Sequence, residues 1–96
     1  MEQLVLQVRN KGKIISTYDS AKYRQDECGA WMSFSEYGNR NSTYWREIDH
    51  IVSQDHWWSD SLSNLRPLQW ENNASKSNGR LVCKVSSNGN QNFYMK

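Results

Sequence analysis

Cysteine is scarce in this sequence. Cys28 and Cys83 are the only two, too few for a four-thiolate zinc site and without CxxC spacing. A disulfide-stapled secreted domain usually carries more, so the pair reads as two buried free thiols. Apolar residues are also in short supply, at 36% of 96 residues, which leaves room for one domain with a thin core. Five tryptophans and five tyrosines must supply much of its buried area. The opening "MEQLVLQVRNKGKIIS" has no apolar run of signal-peptide or membrane-span length. The chain therefore reads as cytoplasmic, with no membrane partner. Net charge is small too, +2 overall, but unevenly placed. Residues 61–96 carry five basic groups against Glu71 alone, and residues 1–60 carry seven basic and nine acidic. A basic C-terminal third gives mild support for a polyanionic partner.

Along the chain the pattern is mixed α+β. "QLVLQV" and "KIISTY" predict a hairpin over residues 3–18, turning near Gly12. "DSAKYRQDE" predicts a short helix capped by Asp19 or Ser20 and stopped at Gly29. "SEYGNRNSTY" is loop. "WREIDHIVS" has strand character, and "NLRPLQW" has it more weakly, because Pro67 lacks a backbone donor and suits a sheet edge. "ENNASKSNG" predicts a short helix held by tertiary contacts, with Glu71 in its first turn and Gly79 as its stop. Two strand-like runs around Asn88–Gly89 predict a C-terminal hairpin. There is no linker and no internal repeat. A strand–loop–strand–helix unit spans residues 45–79.

Asp49 and His50 stand next to each other in that unit's first strand. Neighbouring side chains on a strand point to opposite faces, so the two do not converge on one small ion. They can flank a reacting phosphate instead, with Asp49 holding a cation and His50 facing the attacking water. An imidazole is suited to taking that proton near neutral pH. On the following helix Asn73 offers a carboxamide oxygen, and hard oxygen ligands suit Mg²⁺ or Mn²⁺ in preference to Zn²⁺ or Ni²⁺. Lys76, one helical turn on, can contact a phosphate beside the ion.

The ordered run "CGAW…YGNRNS…EIDHI…LSNLRPLQWENNASKS", within residues 28–77, resembles the HNH family of nucleases. Their shared pattern is a DH dipeptide on a first strand, an Asn in the connecting loop, and a His or Asn in a helix followed three residues later by Lys. The matching positions are Asp49–His50, Asn64, Asn73 and Lys76. The resemblance implies a ββα-metal core, flanked here by N- and C-terminal hairpins. It further implies one divalent cation held by Asp49 and Asn73, His50 as general base, and Asn64 positioning the histidine through a backbone hydrogen bond. The implied activity is hydrolysis of phosphodiester bonds, in DNA in preference to RNA, by a monomer or homodimer. Asn73 stands where many relatives carry a third His. "SQDHWWSD" replaces the glycines common before the loop Asn, Trp45–Arg46 replace a Gly–Trp pair, and zinc-knuckle cysteines are missing.

Blander roles stand beside these. His56 reads as loop surface, and Glu47 as a salt-bridge or hydrogen-bond partner with a third ligand as the alternative. Asn72 competes with Asn73 for the ligand position, and the spacing to Lys76 favours Asn73. Trp31, Trp45 and Trp70 read as core. One of Trp57 and Trp58 is a candidate to stack on a base, and Arg66, Arg80 and Lys84 are candidates for a phosphate path.

Overall fold

The computed structural model describes residues 2–35, 38–54, 57–58, 61–77 and 79–96. The elements are α1 (Glu2–Arg9), β1 (Tyr23–Gln25), β2 (Trp31–Ser33), β3 (Arg46–His50), β4 (Ser53–Gln54), β5 (Trp57–Trp58), a 3₁₀ turn Leu62–Asn64, β6 (Leu65–Gln69), α2 (Trp70–Ala74), β7 (Val85–Asn88) and β8 (Gln91–Tyr94). The strands pair antiparallel as β1–β2, β3–β6, β4–β5 and β7–β8. The mixed α+β expectation holds at that level.

The predicted N-terminal hairpin is corrected: its first arm is α1. Val8 is buried and Leu4 and Val5 half-buried, while Leu6 and Gln7 are exposed. That spacing fits one face of a helix and not alternate faces of a strand. Gly12 serves a close approach rather than a hairpin turn. A Cβ there would lie 2.9 Å from Arg24 Cβ and 3.1 Å from Met32 Cε, so only glycine lets the chain leaving α1 cross the β1–β2 ribbon.

The helix predicted from Asp19 is also corrected. Asp19 Oδ1 accepts from the backbone of Ala21, 2.9 Å away, and its carbonyl from Lys22 and Tyr23. One turn forms, and the chain then extends as β1, because a short polar side chain bonded to nearby backbone competes with helix propagation. Gly29, expected as a helix stop, is the φ +80° residue of the β1–β2 turn. Asp26 closes that turn by accepting from Cys28 and Ala30.

The thiol expectation fails as well: Cys28 and Cys83 form a disulfide across 55 positions, with Cα atoms 5.5 Å apart. It joins the β1–β2 turn to the segment entering β7.

β3 and β6 pair over five residues in the register Arg46–Gln69, Glu47–Leu68, Ile48–Pro67, Asp49–Arg66 and His50–Leu65. Pro67 is tolerated because each strand of a two-stranded ribbon has an unpaired edge. β6 is buried throughout and continues into α2 without a loop. α2 is shorter than the predicted helix, ending at Ala74, with Gly79 in a later turn at φ +77°. Its N-terminus is capped by Gln69, whose Oε1 accepts from the backbones of Glu71 and Asn72, satisfying two of the donors a helix start leaves open.

Among the described residues the apolar core is Val8, Ala30, Trp31, Met32, Leu65, Leu68 and Val85. Trp31 belongs to it, whereas Trp45 and Trp70 are half-buried. A buried polar hub completes it. Asp26 Oδ2 accepts from the Gln69 backbone and from Asn72 Nδ2, each at 3.0 Å. Asn72 Oδ1 takes the backbone donors of Lys84 and Val85, and its Nδ2 also reaches the Val85 carbonyl. The C-terminal hairpin forms as predicted, with Gly89 at φ +64° beginning its turn.

Candidate metal and catalytic site

Strand alternation puts Glu47 and Asp49 on the face of β3 that meets α2 and the segment after it. Asn73 Nδ2 donates to Glu47 Oε1 at 3.1 Å, and Lys76 Nζ donates to Asp49 Oδ1 at 2.6 Å and to the His50 carbonyl at 3.0 Å. Asp49 is 4% exposed, and its other oxygen receives Arg66 Nε at 2.7 Å across the register pair. Arg66 Nη1 extends to Glu27 Oε1 at 3.1 Å. Glu47 Oε2 is held by Arg40 at 2.7 Å. The result is two runs side by side on this face, Glu27–Arg66–Asp49–Lys76 and Asn73–Glu47–Arg40. Burial pulls the Arg66 guanidinium down, but its hydrogen bonds and charge contacts with Asp49 and Glu27 outweigh this and hold it above its ordinary range. Arg66 is therefore a fixed cation.

His50 ends β3, half-buried, and by alternation projects from the opposite face to Asp49. The chain after it is gripped by Asn64. The side-chain Oδ1 of Asn64 accepts from the Val52 backbone at 2.9 Å, its Nδ2 donates to the Val52 carbonyl at 3.0 Å, and its own carbonyl accepts from Ile51 at 2.8 Å. Three hydrogen bonds to the two residues following His50 fix the direction in which the strand ends.

Of the sequence-predicted residues, Asp49, Asn73 and Lys76 share one face, and Asn64 locks the segment beyond His50. Asn72 leaves the competition for the ligand position, being wholly buried with both ends of its amide bonded. Arg66, read as a phosphate contact, is 8% exposed and committed to Asp49 and Glu27. Arg80 is exposed in the turn after Lys76, where its backbone pairs with Ser77, and Lys84 is exposed ahead of β7. Trp57 lies on β5; its side chain and the whole of His56 fall outside the described residues. Sequence reasoning missed Arg40 and Glu27, and no local signal marks either. It did place Glu47 as a hydrogen-bond and ion-pair partner, the role it has here.

The oxygens on this face, two carboxylates and a carboxamide, are of the hard kind that suits Mg²⁺ or Mn²⁺. No group of three or more His, Cys, Asp or Glu side chains able to hold a metal occurs among the described residues, so a cation would depend on Asn73. It would also have to take Asp49 Oδ1 from Lys76. The donor set fits in kind, with the ammonium as competitor.

No family model, curated protein or solved structure matches the chain. No helix among the described residues is long and apolar enough to cross a membrane.

Proposed function

We propose that the chain is a small metal-dependent endonuclease of the HNH type, hydrolysing phosphodiester bonds in DNA. The observation that supports this reading is the Asn64 grip on Ile51 and Val52, the two residues after His50, which agrees in kind with the histidine-positioning role that the resemblance implies for this asparagine. Asp49 and Asn73 would hold Mg²⁺ or Mn²⁺, which when bound stabilises charge developing on the phosphate and leaving oxygen. His50 takes a proton from water as the water oxygen bonds to phosphorus and the ester P–O bond breaks. Lys76 can turn from Asp49 to a phosphate oxygen.

Nicking of supercoiled plasmid with Mg²⁺ or Mn²⁺ tests the proposal. His50→Ala should abolish cleavage while leaving metal affinity, measured by calorimetry, nearly unchanged; near wild-type cutting would remove His50 as the base. Asp49→Ala should lose metal binding and cleavage together.

A second reading, a nucleic-acid-binding module on the same scaffold that does not cut, is favoured by one observation. Both Asp49 oxygens already have cationic partners, Arg66 and Lys76. DNA binding without nicking under any divalent metal would establish that reading instead.

A further inference from the structure

We propose that a groove over β1 and β2, distinct from the Asp49 face, binds a segment of single-stranded DNA. It has two connected parts. One is a cavity of about 400 Å³ walled by Tyr18, Tyr23, Trp31 and Tyr44, with the Ser33 and Ser35 hydroxyls at its edge. The other, of about 450 Å³, shares Tyr23, Ser33 and Ser35 and adds Arg9, Lys22 and Phe34.

The aromatic part is a built surface. Trp31 is 4% exposed, its Nε1 donates to the Gly89 carbonyl at 2.7 Å, and its ring meets Tyr18 with centroids 4.5 Å apart at 56°. A tilted pair anchored this way has little freedom to collapse into the cavity. Tyr23, by contrast, is 42% exposed and stands where the two parts join. Cavities of this size, lined by rings with a few polar groups, are of the kind that takes planar ligands, and stacking on tyrosine and tryptophan is how bases are held without sequence preference.

The cationic part supplies the complementary charge. The Arg9 guanidinium lies 5.0 Å over the Phe34 ring, and its buried Nε has no hydrogen-bond partner among the described residues. Lys22 is exposed. The positive charge of Arg9 together with the exposed Lys22 ammonium suits a backbone phosphate at this end, and the adjoining aromatic wall fits the base of the same or next nucleotide. Paired bases in a duplex cannot enter such a cavity, which selects single strands. Tyr44 lies two residues before β3 begins, so a strand in the groove approaches the element that carries Asp49 and His50.

The test is fluorescence anisotropy of wild type with a short fluorescein-labelled oligothymidylate, in EDTA so that metal and cleavage play no part. The same strand without bases and a labelled duplex serve as comparisons. Wild type should bind oligothymidylate more tightly than the abasic strand. Tyr23→Ala should weaken oligothymidylate binding about tenfold while leaving abasic binding unchanged, and Lys22→Glu should weaken both. Unchanged thermal melting of the two surface variants excludes misfolding as the cause. Equal affinity of wild type and Tyr23→Ala for oligothymidylate, or a duplex bound with the same dependence on Tyr23, overturns the assignment. Because no metal is present, this outcome is independent of whether the Asp49 site cuts DNA.

Discussion

Reducing the Cys28–Cys83 bond should weaken folding severely while leaving the folded site intact. The loop it closes spans 55 positions and contains β2, β3, β6 and α2. In the chain-entropy account, a cross-link over a loop of that length removes about 4 kcal/mol of disorder from the unfolded chain. The folded side changes little, because the same two regions are also joined by Asn72, which bonds both Asp26 and the Lys84–Val85 backbone. The perturbation therefore acts mainly on the unfolded state. Domains of this size have total stabilities of roughly 5–15 kcal/mol, and a core with seven buried apolar residues among those described argues for the lower end, so the loss is a large fraction of the total. It corresponds to a fall of about 20 °C in Tm. Urea unfolding followed by tryptophan fluorescence, with and without reductant, measures it, and a Cys28→Ser/Cys83→Ser variant should match the reduced protein. Alkylation of the unfolded, unreduced chain should modify neither cysteine. Two adducts without reductant, or a midpoint indifferent to reductant, would refute both the pairing and its energetics. A bond of this kind persists in oxidising compartments and is opposed by the cytosolic thiol pool, so the pairing stands in tension with the cytoplasmic expectation from the sequence.

Asn72→Ala should cost about 3–5 kcal/mol in urea unfolding, because it orphans the Lys84 and Val85 donors and the Val85 acceptor inside the core; Asn73→Ala should cost under about 1 kcal/mol yet lose metal in calorimetry. A small penalty at Asn72 would mean that the polar hub is dispensable. Lys76→Met should tighten Mn²⁺ binding in a calorimetric titration while slowing any cleavage, since it releases Asp49 Oδ1. Affinity that falls or stays level would show that the ammonium is no competitor.

What the sequence made legible was set by local rules. β3 reads as a strand because the β-branched Ile48 and Ile51 bracket Asp49–His50, and the C-terminal ribbon because Asn88–Gly89 supplies turn chemistry. α2 reads as a helix because Glu71 suits a first turn, whereas its cap, Gln69, is not among the usual capping residues and was not legible. α1 was misread because six residues, "QLVLQV", satisfy a period of two and a period near four almost equally. Only the packing of α1 on β6, more than 50 positions away, with Val8 buried, selects the helix. Asp19 was misread because the same side chain that caps a helix can close a single turn and release the chain into a strand.

The candidate site was legible in part and opaque in its charges. Motif order nominated Asp49, His50, Asn64, Asn73 and Lys76, of which the fold sets Asp49, Asn73 and Lys76 on one face, and a spacing of three to Lys76 favoured Asn73 over Asn72. No spacing rule says that Arg66 will face Asp49. That follows from the β3–β6 register, in which Asp49 pairs with Arg66 and His50 with Leu65. Shifting the pairing by one residue would set Asp49 opposite Leu65 or Pro67 and leave a buried carboxylate with one fewer cation, a loss that strongly disfavours the shift. The ion pair that neutralises Asp49 thus also fixes the strand register that carries His50. A test of Arg66 therefore has to read the fold and the chemistry together.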